Sequence, residues 1–79
     1  MNNWVEKDHA LHKTFTFNSF IEAIEWMNKM APKIDALNHH PEWTNVYNKV
    51  MVKLTTHDAG NTVTEKDYTL AKLLDEVTI

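Results

Sequence analysis

The chain is 79 residues long with one Gly, two Pro and no Cys, the size of one small domain, which excludes a two-domain enzyme. Hydrophobic residues make up 43% and charged residues 24%, ordinary globular usage, so neither disorder nor a fibrous repeat is suggested, and no disulfide can staple so thin a core. Eight Lys+Arg against eleven Asp+Glu give a formal charge of -3, the wrong sign for a chain that grips nucleic acid by neutralising phosphates.

The opening Met1-Asn2-Asn3-Trp4-Val5-Glu6-Lys7-Asp8 has neither a basic start nor an apolar run, so no leader or membrane span is expected and the chain is read as cytosolic. Trp4 to Lys7 predicts a short extended piece, with Asp8-His9 as a hairpin loop. Leu11, Phe15 and Phe17 then alternate with His12, Thr14 and Thr16, the period of a half-buried strand in which Lys13 is the one dissenter. Ser19 and Glu22 form a capping box that opens a helix. Phe20, Ile24, Met27, Ala31 and Ile34 supply its expected apolar stripe. Pro32 either stops this helix near Ala31 or kinks it, and we expect a kink with continuation to about Leu37.

Asn38-His39-His40-Pro41-Glu42 reads as a shaped loop, because Pro41 pushes His40 into an extended conformation. Trp43 to Tyr47 predicts a strand, Asn45 to Asn48 a turn, and Val50, Val52 and Leu54 alternate with Met51, Lys53 and Thr55 in a second strand. That alternation points His57 away from the core. Asp58-Ala59-Gly60-Asn61 is a loop, and Thr64-Glu65-Lys66-Asp67 is a capping signature opening a helix with Tyr68, Leu70, Ala71, Leu73, Leu74 and Val77. The order strand, strand, helix, strand, strand, helix favours an α+β fold over parallel crossovers: a four-stranded antiparallel sheet with two helices packed on one face.

Chemistry concentrates in the histidines. His39 and His40 are adjacent in a loop and His57 follows a strand. Imidazole gives and takes protons near neutral pH, so such a group is a natural acid/base device. The bland reading is a solvated His-His-Pro turn. His9 and His12 are expected at the surface. Three histidines also suit zinc, although no H-x-H or H-E-x-x-H spacing supports a metal. Trp43 fits either core or a pocket wall. Asp67 and Asp35 fit either helix capping or the orienting of an imidazole, and Asp58 fits a turn.

Asp35, His39-His40-Pro41-Glu42-Trp43, Tyr47, His57 and Asp67 at these spacings, with Asn45-Val46-Tyr47-Asn48-Lys49-Val50 and Thr55-Thr56-His57 between them, resemble the signature of pterin-4a-carbinolamine (4a-hydroxytetrahydrobiopterin) dehydratases. The likeness covers residues 1–79 as one domain. It implies the same four-stranded sheet with helices on one side, and dehydration of 4a-hydroxytetrahydropterin, the product of aromatic amino acid hydroxylases, to quinonoid dihydropterin. By that likeness His39, His40 and His57 are the catalytic set, with Asp67, Asp35 and Asn38 as supporting residues. Trp43 and Thr56 are expected pocket walls, and Asp58 stands beside them as a substrate-binding candidate.

Two departures matter. Longer members begin with an extra helix, and this chain starts almost at Trp4, so a layer covering the sheet is expected to be absent. Asn38 stands where many members have Asp, a neutral amide that can hydrogen-bond but brings no charge. No metal or cofactor is implied. The expected partners are a small-molecule pterin and a second or further copy of the chain, as homodimer or homotetramer, because an open sheet leaves strand edges exposed. The alternative is a non-catalytic pterin-binding or dimerisation module, since some members of that family serve as dimerisation cofactors of a homeodomain transcription factor. Retention of three histidines with Asp67 argues against a purely structural relic.

Overall fold

A computed structural model describes residues 3–76. The first hairpin joins β1, Val5–Lys7, to β2, Ala10–Thr16. Its two loop residues, Asp8 (φ 53) and His9 (φ 63), both take positive φ, the backbone hand of a type I′ turn, achieved without glycine. α1 spans Phe20–Leu37, β3 Glu42–Val46, β4 Lys49–Leu54, and α2 Glu65–Glu76, with a short 3-10 turn at His57–Ala59. The sheet order is β1-β2-β4-β3 and every pairing is antiparallel. Both helices contribute to one core against the sheet face that carries Leu11, Val50, Val52 and Leu54. This is the α+β architecture the residue order predicts. Among the described residues no helix is long and apolar enough to cross a membrane. Val77, assigned above to the last helix, lies outside the described residues.

α1 starts where the capping box places it, with the Ser19 hydroxyl accepting from Glu22 N–H at 3.1 Å. It continues through Pro32 to Leu37 as one helix. Pro32 is exposed, so the missing donor falls on a solvated side of the cylinder, where its cost is lowest. The buried face differs from the expected stripe. Ala23, Trp26, Met30 and Ile34 are buried, whereas Phe20, Ile21 and Ala31 are exposed and Ile24 and Met27 half-buried. The helix is rotated by about one residue step, roughly 100°, because Trp26 is the largest side chain available to fill the space over the sheet. Its ring centroid lies 4.6 Å from Phe15, 5.3 Å from Phe17 and 6.0 Å from Trp43, within the range of favourable aromatic pairs.

α1 ends on Asn38, whose left-handed backbone (φ 55, ψ 37) lets its N–H reach Asp35 carbonyl oxygen at 3.0 Å. Asn adopts this conformation more readily than other non-glycine residues. Asn38→Ala is therefore expected to lower unfolding free energy by about 1 kcal/mol and Asn38→Gly to leave it level or slightly higher, by urea denaturation. Equal losses in both variants would show that the Asn side chain, not its backbone angle, matters.

Two further departures concern charged and polar side chains. Lys13 lies on the inner face of β2, where its ammonium meets Asp75 of α2 at 2.6 Å and sits 4.7 Å from the Phe15 ring centre. Its stem covers apolar surface while its charge is matched. Tyr68 is exposed, not part of the buried stripe of α2, which is Leu70, Ala71 and Leu74. Its hydroxyl donates to Glu6 Oε1 at 3.2 Å, and the Glu6 carboxylate raises the phenol above the usual tyrosine range.

Candidate active site

The site is organised by the first turn of α2. Thr64 N–H donates to Asp67 Oδ2 at 2.9 Å, and Lys66 N–H donates to the Thr64 hydroxyl at 3.3 Å, a reciprocal cap of the kind Thr-x-x-Asp signals. Asp67 is completely buried, at 0% exposure. A carboxylate in that position must be fully hydrogen-bonded. Oδ2 also accepts from the Thr56 hydroxyl at 2.8 Å, and Oδ1 contacts His39 Nε2 at 2.7 Å. Asp67 is thus both the helix cap and the orienter of an imidazole, the two roles weighed for it separately in the sequence.

His39 is itself mostly buried, its side chain 14% exposed. Because a carboxylate oxygen only accepts, the hydrogen in this contact is on His39 Nε2, and Nδ1 is the nitrogen outside it. After the left-handed Asn38 the two adjacent histidines reach different helices, His39 to Asp67 of α2 and His40 to Asp35 of α1. His40 Nε2 donates to Asp35 Oδ1 at 3.0 Å, a pair with side chains 57% and 82% exposed, which screening makes weak as a fold contact. His57 begins the 3-10 turn after β4, exposed, with Nδ1 2.6 Å from Asn61 Oδ1. Asn61 holds positive φ (59), and its N–H donates to the Thr56 carbonyl at 3.1 Å, so the turn is closed on itself. The three imidazoles share one design: a side-chain oxygen takes one ring nitrogen and the other remains.

Asp67 joins two of the three histidine-bearing segments. It holds His39 from the loop after α1 and Thr56 from the segment leading into His57. His40 lines an open cleft of about 470 Å³ with Ala31, Pro32, Asp35, Pro41 and Trp43. His39 lines a different one of about 300 Å³ with Leu37, Asn38, Glu65, Lys66 and Thr69. The two adjacent histidines therefore line separate hollows, each in the size range of small-ligand sites or just at its lower end. Trp43 is half-buried, packed on Trp26 and lining the His40 cleft, so the alternatives of core and pocket wall both apply.

Other expected site residues land differently. Thr56 is buried at 5% exposure with its hydroxyl held by Asp67 and Thr64, so it is not an open pocket wall. Asp58 is exposed in the 3-10 turn. His9 is exposed as expected, while His12 is half-buried with Nε2 3.1 Å from the Lys7 carbonyl. Sequence reasoning missed Thr64 and Asn61 as partners of the histidine network. The Thr-x-x-Asp cap was visible, but nothing in a linear pattern shows its hydroxyl reaching Thr56. Among the described residues no three His, Asp or Glu side chains are grouped to hold a metal ion.

The family model for pterin 4 alpha carbinolamine dehydratase matches residues 1–77. The chain belongs to the pterin-4a-carbinolamine dehydratase family. It is 48% identical over 77 residues to a provisionally named pterin-4-alpha-carbinolamine dehydratase of Opitutus terrae, covering 98% of this chain and 79% of that one. A relative of the same provisional name from Sulfurisphaera tokodaii is also 48% identical, covering 98% and 82%. A crystal structure described as a transcriptional coactivator/pterin dehydratase from Brucella melitensis superposes with a TM-score of 0.90 at 37% identity, covering 96% of this chain and 82% of that one. Dehydratases of this family are hydro-lyases, and the chain is an enzyme of that class.

Proposed function

We propose that the protein dehydrates 4a-hydroxytetrahydropterin to quinonoid dihydropterin by histidine acid/base catalysis, recycling the pterin used by aromatic amino acid hydroxylases in the cytoplasm. The C4a–O bond breaks as an acid protonates the departing hydroxyl, and a base removes the N5 proton, whose electron pair forms the C4a=N5 bond. One water leaves, and no oxidant or cofactor is needed. The observation that carries this reading is the 2.7 Å contact of His39 with the wholly buried Asp67, which presets one imidazole tautomer in a chain of this family. His40 in the Trp43 cleft and His57 in its turn are the further acid/base candidates, with Asp35 and Asn61 holding one nitrogen of each. Asn38 supports the pair by turning the chain out of α1 immediately before them.

A second reading, a dimerisation or coactivator module, is favoured by the description of the Brucella melitensis relative. A homodimer or homotetramer fits either one, because β1 and β3 are both sheet edges. Stopped-flow measurement of 4a-hydroxytetrahydropterin breakdown separates the two. The wild type is expected to accelerate it, and His40→Ala and His57→Ala to lose about 10²-fold or more, the lower end of a general acid/base contribution, with unchanged circular dichroism since both side chains are exposed. A wild type no faster than buffer would leave the module reading in front.

A further inference from the structure

The hydroxyls around Asp67 point in one direction. Thr56 Oγ1 donates to Asp67 Oδ2, so in the 2.7 Å contact between the two threonine hydroxyls the donor is Thr64. Thr64 Oγ1 in turn accepts from Lys66 N–H. The run is Lys66 N–H to Thr64, Thr64 to Thr56, Thr56 to Asp67 Oδ2, with His39 Nε2–H arriving at Oδ1 from the other side. Each hydroxyl has both a donor and an acceptor, so none can turn without breaking a bond, and such chains polarise one another where water is excluded. Thr56, at 5% exposure, has no hydrogen to offer a ligand.

From this geometry we infer that Thr56 is a positioning residue, which through Asp67 holds His39 in the tautomer with its hydrogen on Nε2 and Nδ1 open to substrate. The kinetic consequence rests on the dehydratase reading, whereas the tautomer itself does not. Removing the Thr56 hydroxyl leaves Oδ2 with the single Thr64 N–H bond. The carboxylate is then held at Oδ2 by one donor instead of two, its alignment with His39 Nε2 loosens, and the neutral ring is expected to populate both tautomers.

The test compares wild type with Thr56→Val, which keeps shape and loses the hydroxyl, and with Thr56→Ser, which keeps it. Imidazole nitrogen NMR, with His39 assigned by its absence in His39→Gln, is expected to show the Nε2–H tautomer in wild type and Thr56→Ser and a mixture in Thr56→Val. Steady-state kinetics are expected to show kcat down about tenfold or more in Thr56→Val, the scale seen when an outer-shell partner is removed, with KM within about twofold and recovery in Thr56→Ser. Should Thr56→Val melt at lower temperature yet keep the wild-type tautomer and kcat, the hydroxyl is structural only and the inference fails. Should wild type prove inactive, the dehydratase reading falls while the spectra still decide the role of Thr56. If Thr56→Val does not fold, Thr56→Ala serves, since it also lacks the hydroxyl while the Thr64 N–H bond to Asp67 persists, and an unchanged His39 spectrum there overturns the inference.

Discussion

Asp67→Asn is expected to keep the fold and lose about 10² to 10⁴ in kcat, the range that wrong-tautomer substitutions reach elsewhere. The asparagine has one accepting oxygen where the aspartate has two. If that oxygen faces Thr56 and Thr64, the amide hydrogens face His39 Nε2, and the ring must move its hydrogen to Nδ1, the nitrogen proposed above to face substrate. If the amide is flipped, two donors meet its NH₂ instead. Asp67→Ala is the harsher change, because the hydroxyl of Thr56, the N–H of Thr64 and His39 Nε2 all lose their acceptor. At about 1 to 3 kcal/mol for each buried donor left unpaired, partly relieved by water entering the gap, a loss of about 3 kcal/mol is expected in urea denaturation. Wild-type kcat in a folded Asp67→Asn would remove the tautomer from the mechanism, and an Asp67→Ala protein as stable as wild type would show that the carboxylate holds nothing together.

Trp26→Ala is expected to cost about 3 to 5 kcal/mol, the usual loss when a large buried aromatic is truncated. Total stability for domains is only about 5 to 15 kcal/mol, so a chain of 79 residues is expected to be largely unfolded at moderate temperature. Trp26 is 1% exposed and touches Phe15, Phe17 and Trp43 at once. Trp26→Phe keeps most of this contact and is expected to cost less than half as much. Because Trp43 rests on Trp26 and lines the His40 cleft, the milder variant is also expected to raise KM more than it lowers kcat. Chemical denaturation and steady-state kinetics on the same samples check both statements, and a Trp26→Ala protein within 1 kcal/mol of wild type would contradict the first.

The exposed His40–Asp35 pair predicts the opposite kind of behaviour. An ion pair open to solvent contributes little to the fold, so any effect of changing it belongs to chemistry at the cleft and not to folding.

Much of the architecture was legible locally. Period-two alternation in 11–17 and 50–54 and the Ser19-Glu22 box specify their elements by rules that act over a few residues. The α1 stripe was misplaced for a reason of the same physics at longer range. Phe20, Ile24, Met27 and Ala31 satisfy helical spacing as well as Ala23, Trp26, Met30 and Ile34 do, and only the shape of the sheet underneath chooses the set containing the tryptophan. Tyr68 faces outward while Leu70, Ala71 and Leu74 take the core, and its hydroxyl finds Glu6, sixty-two residues earlier, at the edge of the sheet.

The residue types of the site follow from sequence: His39 and His40 before Pro41, His57 after a strand, Asp67 three residues past a capping Thr. Their connections do not, because hydrogen bonds depend on distances that a linear pattern leaves open. That Asp67 caps α2 was a local matter. That its other oxygen meets His39, twenty-eight residues away, and that Thr56 lies inward bonded to that carboxylate instead of lining a pocket, was decided when α2 packed against the end of β4 and buried a charge that had to find every donor within reach.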